Sequence, residues 1–65
     1  MKHSREKLLT LINRSLAKTG WQVKDWGTPE TPEHLRFFHE RADGHDWHPV
    51  PDLEAFALEC GAIGR

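Results

Sequence analysis

The chain has 65 residues, one cysteine and no apolar run long enough for a secretion signal or a membrane span, which excludes an intrachain disulfide and favours a soluble protein of the reducing cytoplasm. At 37% hydrophobic and 29% charged it reads as one folded domain, with a small core, because a chain of this size buries only about 60% of its unfolded surface. The formal charge of −1 is sorted by position: residues 1–24 set Lys2, Arg5, Lys7, Arg14, Lys18 and Lys24 against Glu6 alone, a net +5, and residues 25–65 set nine Asp/Glu against Arg36, Arg41 and Arg65, a net −6.

Ser4 is placed to cap a helix over residues 5–18, because Leu8, Leu9, Leu11, Ile12 and Leu16 fall within about 160° of arc at 100° per residue. Lys18 suits the negative end of that helix, and Gly20 the left-handed position after it, with Trp21 then packing back on Leu16. From Trp21 the period shortens to two: Trp21 and Val23 share one face, Gln22 and Lys24 the other, which predicts a strand over 21–26. Gly27 to Glu33 contains Pro29 and Pro32 and reads as a turn, or as the start of a second helix capped at Thr31.

Residues 32–48 admit two readings. A helix over 32–42 would end at Asp43-Gly44 and gather Leu35, Phe38 and Ala42, but would send Phe37 to the opposite side. An extended segment puts Leu35 and Phe37 on one face and makes Asp43-Gly44 the tip of a hairpin returning through Asp46, Trp47 and His48. The hairpin is preferred, with Pro49 requiring a short or edge return strand. A last helix begins at Pro51-Asp52, carries acids in its first turn and aligns Leu53, Phe56, Ala57, Cys60 and Ile63 within about 120° of arc, with Gly61 or Gly64 to end it. The expected fold is α+β: helix, strand, strand, strand, helix, with a short antiparallel sheet and both helices on one face.

Few residues offer chemistry. Lys7, Arg14 and Lys18 lie within about 40° of one another around the first helix and form a basic ridge, suited to an acidic partner or a phosphate backbone. The plainer alternative is a solvated face, or pairing with Asp52, Glu54 and Glu59 if the helices are neighbours. His39, His45 and His48 around the hairpin lack the cysteines that usually complete a zinc site, so no metal and no other cofactor is expected. Cys60 falls on an apolar stripe at the negative end of its helix, where a thiol is unreactive, and is expected to be a buried structural residue. No Ser/His/Asp order, phosphate-binding glycine loop or paired-carboxylate spacing is present. Three tryptophans are too many for so small a core. Trp21 and Trp26 point to opposite faces of a strand, so if Trp21 is core, Trp26 is left either as a contact anchor or as a cover for the edge of its own sheet.

The starting helix closed by Thr19-Gly20-Trp21, the spacing of His34 and His39, Asp43-Gly44, Val50-Pro51 and the ending Cys60-Gly61-Ala62-Ile63 together resemble the HicA toxins, small messenger-RNA-cleaving proteins with a fold like the double-stranded RNA-binding domain. The resemblance implies that His34 matches the catalytic histidine, acting as general acid or base at the RNA 2′-OH. Pro32-Glu33 stands where that family carries Gly-Ser, and the closing helix is acidic where theirs is basic.

The leading expectation is a small cytoplasmic protein without catalysis that binds another protein, of the kind that regulates or inhibits larger machines, phage-encoded ones among them. Trp26 or Trp47 would anchor the contact, and Lys7, Arg14 and Lys18 would orient it. The alternative is an RNA-binding protein or endoribonuclease like the HicA toxins, working through the ridge and His34. No membrane contact is expected.

Overall fold

A computed structural model describes residues 3–64; Lys2 and Arg65, two of the charged residues named for the two halves of the chain, lie outside the described residues. The elements run α1 (Arg5–Leu16), β1 (Trp21–Asp25), a single 3-10 turn (Glu33–Leu35), β2 (Phe37–Arg41), β3 (His48–Pro49) and α2 (Leu53–Glu59). The α+β order helix, strand, strand, strand, helix is the one the sequence predicts. The sheet is antiparallel throughout, with β2 central in the order β1-β2-β3.

Local chemistry explains each start and stop. The Ser4 hydroxyl accepts from the Lys7 backbone N–H and opens α1, and the Asp52 carboxylate accepts from Ala55 N–H and opens α2. The first helix stops two residues earlier than predicted. Ala17 N–H reaches only Arg14 O, and the Thr19 hydroxyl donates to Leu16 O at 2.7 Å while accepting from Trp21 N–H at 3.1 Å, so a threonine closes the helix rather than a glycine. Gly20 still takes the left-handed conformation, at φ +83°, but as the pivot into β1. Lys18 is therefore in the turn and not on the helix. At the other end, Gly61, at φ +78°, terminates α2.

The extended reading of residues 37–41 holds, with one correction. Leu35 sits in the 3-10 turn and is 54% exposed, so it does not share a strand face with Phe37, which is fully buried. Two prolines and the turn consume the residues that would have lengthened β2. Trp26 likewise lies one residue beyond β1, although its N–H still bonds Arg36 O at 2.9 Å.

The core lies between the helices and one face of the sheet. Leu8 and Ile12 from α1, Leu53 and Ala57 from α2, Val23, Phe37 and Val50 are all buried, and Phe56, Cys60 and Ile63 pack at its margin. Cys60 is half-buried rather than fully enclosed. Both helices thus cover the same face. The free edge of β1 is closed by α1: Asn13 Oδ1 accepts from Val23 N–H at 2.8 Å and Asn13 Nδ2 donates to Val23 O at 3.0 Å, an amide standing in for the next strand. Pro49 sits on the opposite edge strand, where a missing N–H is tolerated. Among the described residues no helix is long and apolar enough to cross a membrane.

Candidate binding surface

The sheet face turned away from the helices carries the feature most unlike an ordinary surface. Alternation along β2 sends Phe37 and His39 toward the helices and Phe38 and Glu40 the other way. Trp26, just past β1, and Trp47, just before β3, meet over this second face, stacked with centroids 4.9 Å apart and planes 27° from parallel. Phe38 lies tilted against Trp47 at 6.4 Å, and Lys24 Nζ stands 4.4 Å from the centre of the Trp26 ring. The rings shield Glu40, which is 2% exposed and accepts a short hydrogen bond from Trp26 Nε1. A buried carboxylate needs such a donor.

Both loops that deliver the tryptophans are tied down. On the first, the Arg36 guanidinium grips Asp25, with Nε 3.0 Å from both carboxylate oxygens and a second nitrogen at 2.9 Å, and that hydrogen bonding holds Asp25 below the usual carboxylate range. Gly27 passes so close that a Cβ there would lie 2.6 Å from Arg36 Cγ. On the second, Trp47 Nε1 donates to Gly44 O, Arg41 pairs with Asp46 at 2.6 Å, and Gly44 and Asp46 take left-handed backbone, φ +92° and +56°. Even so, Trp26 remains 46% and Trp47 52% exposed. Their indole N–H groups are satisfied internally, which leaves apolar ring surface outward.

The residues singled out in the sequence separate into three places. Trp26 and Trp47 come together, and Trp26 covers the open face of the sheet rather than its edge. Lys7 and Arg14 are exposed on α1, and Lys18 is exposed in the turn after it, off the helix on which the three were expected to line up. Of the two plainer alternatives for these residues, a solvated face or pairing with Asp52, Glu54 and Glu59, the pairing is not found: the ion pairs among the described residues are Arg5 with Glu33, Arg36 with Asp25, Arg41 with Asp46 and His45 with Asp43. The helices touch through their apolar stripes and one polar link, Ser15 Oγ donating to Cys60 O at 3.0 Å. His34 is exposed in the 3-10 turn. A depression of about 350 Å³ opens between the starts of the two helices, but its walls bear Glu33, Asp52 and Glu54 against Arg5 and His3, a poor seat for a polyanion.

The other histidines do not converge on a metal. Among the described residues no three His, Cys, Asp or Glu side chains are arranged to hold one. His39 instead packs on the helical side between Trp21 at 4.6 Å and Phe56 at 5.0 Å, across the strand pair from His48, with a buried Nε2 that has no hydrogen-bond partner among the described residues. Burial, and secondarily the charge of His48, hold its pKa below the ordinary value.

Sequence reasoning missed Glu40, Phe38 and Lys24 as parts of the aromatic face. The available signal was the period-two alternation, which puts Gln22 and Lys24 on one side of β1 and Phe38 and Glu40 on the same side of β2. Comparison with known protein families, with curated proteins and with solved structures gave no match to this chain.

Proposed function

We propose that this chain is a small non-enzymatic binding protein, a regulator or inhibitor that docks another protein on the helix-free face of its sheet. The observation that carries the reading is the stacked Trp26–Trp47 pair. Two large rings from separate loops are pinned by four polar devices, Glu40, Gly44 O and the pairs Arg36–Asp25 and Arg41–Asp46, yet about half of each ring system faces solvent. Rigid, amphipathic and already ordered, such rings lose little entropy on binding and are the commonest anchors of protein interfaces. The basic ridge on the opposite layer then orients the approach without entering the contact. The immobilised protein, exposed to nuclease-treated native lysate, is expected to retain a protein partner that a variant with Trp26→Ala and Trp47→Ala releases. Retention of every partner by that variant would overturn the reading.

A second reading, RNA cleavage in the manner of the HicA toxins, draws support from the exposure of His34 at the turn before β2. No ion pair joins His34 to another side chain among the described residues. Growth arrest on expression that His34→Ala abolishes would favour this reading. Failure to bind RNA at low salt, where electrostatic affinity is greatest, would remove it.

A further inference from the structure

Three aromatic rings carry a cation among the described residues. Lys24 Nζ lies 4.4 Å from the centre of Trp26, Arg41 Cζ 5.1 Å from Trp21, and Arg36 Cζ 5.5 Å from Phe37. Among the described residues Trp47 is the one tryptophan with no cation of its own, and it is the more exposed member of the stacked pair. Lys24 Nζ and the Trp47 ring both lie against Trp26, 4.4 Å and 4.9 Å from its ring centre, and no cation lies over Trp47 among the described residues.

The surroundings favour a positive charge over Trp47. An indole face is the negative part of its quadrupole, and the Glu40 carboxylate beneath accepts the Trp26 N–H, which adds negative character to the platform. The loop that presents Trp47 also holds Asp43 and Asp46, which pair with His45 and Arg41. Both tryptophans belong to the acidic portion of the chain, and the unpaired basic ridge is on the other layer.

We infer that the Trp47 end of this face recognises a cationic side chain of the partner, an arginine guanidinium carried on a basic protein segment. The inference rests on the proposed binding function and adds the chemistry of the partner. Arginine is preferred over lysine because its guanidinium is planar, weakly hydrated and able to lie flat on an indole. Lys24 stands over the Trp26 ring, so the Trp47 ring is the one left for the partner's cation. Glu40 acts as a positioning residue: it fixes the Trp26 indole that in turn orders Trp47.

The test is a titration of the intact 15N-labelled chain with an arginine hexapeptide, a glutamate hexapeptide and a single-stranded RNA oligonucleotide, read at the tryptophan indole N–H resonances. The arginine peptide is expected to shift the Trp47 resonance saturably and the other two to leave it unmoved. Trp47→Ala is expected to weaken binding about tenfold. Lys24→Glu, an exposed change that leaves the core intact, is expected to strengthen it about threefold, and Glu40→Gln, checked for folding by circular dichroism, to weaken it about threefold. A Trp47 response to RNA rather than to arginine, or arginine binding indifferent to both Trp47→Ala and Lys24→Glu, overturns the inference. If the arginine peptide fails while a lysate partner still depends on Trp26 and Trp47, the cationic chemistry falls and the binding function stands. If no partner depends on those tryptophans either, both fall.

Discussion

On one face of the sheet, Val23 and Phe37 are sealed by Leu8, Ile12, Leu53 and Ala57 from two helices, whereas on the other, Phe38 and Glu40 are covered only by two tryptophans from loops. The first cover is a whole layer, continuous and apolar, and its energy is that of burial. The second is a pair of rings held by local hydrogen bonds, enclosing a carboxylate and leaving half its own surface to solvent. A chain of 65 residues can complete only one such core. Its second sheet face is left under two tryptophans that are themselves about half exposed.

That contrast is sharpest in a pair of truncations. Phe37→Ala opens a cavity in the sealed side and is expected to cost about 3–5 kcal/mol, comparable with the whole stability of roughly 3–10 kcal/mol for a domain of this length. Trp47→Ala removes one stacked aromatic contact and is expected to cost about 1 kcal/mol in the same urea titration. Equal losses from the two variants would break the distinction between core and platform. Asn13→Ala tests the edge rather than the faces. It strands the N–H and C=O of Val23 and is expected to cost about 2 kcal/mol, with concentration-dependent association through the uncovered strand visible by sedimentation.

Smaller effects refine the comparison. Gly27→Ala forces Arg36 off its course and loosens the Asp25 pair, with an expected loss of about 1 kcal/mol and a shift of the Trp26 resonance, while the core resonances stay in place. On the helical side, His39 is the polar exception. Because its pKa is held below 6.5, the unfolded chain binds the proton first as the pH drops. The stability this group contributes is therefore complete above about pH 6.5 and declines as pH falls through the window below it. Thermal melts between about pH 7.5 and 5.5 are expected to show that slope, and His39→Phe to flatten it. A slope unchanged by the substitution would assign it to other groups.

Much of the architecture was legible from residue spacing. The cap at Ser4, the apolar stripes of both helices and the switch to period two at Trp21 each rest on interactions within a few residues, and each appears as expected, whereas Asp52, expected in the first turn of the last helix, caps it instead. The errors arose where local signals competed. Thr19 ended α1 before Gly20 could, and the turn before β2 absorbed Leu35. The platform was half legible: composition showed that three tryptophans exceed the needs of a small core, and alternation put Trp26 opposite Trp21.

By itself the sequence determined the two helices and the first strand, that a strand returning through Pro49 would be short or at an edge, and that basic and acidic residues would be kept apart, because these follow from near-neighbour periodicity and charge order, while it left residues 32–42 open between helix and strand. Only the tertiary structure decided that Trp26 and Trp47, twenty-one positions apart in the numbering, would stack over Glu40. It also decided that Asn13 would close the edge of β1 and that Lys7, Arg14 and Lys18 would make no ion pair among the described residues. The physical reason is the same in each case: these contacts join residues whose proximity is set by strand pairing and helix docking, and no local propensity encodes the distance between them.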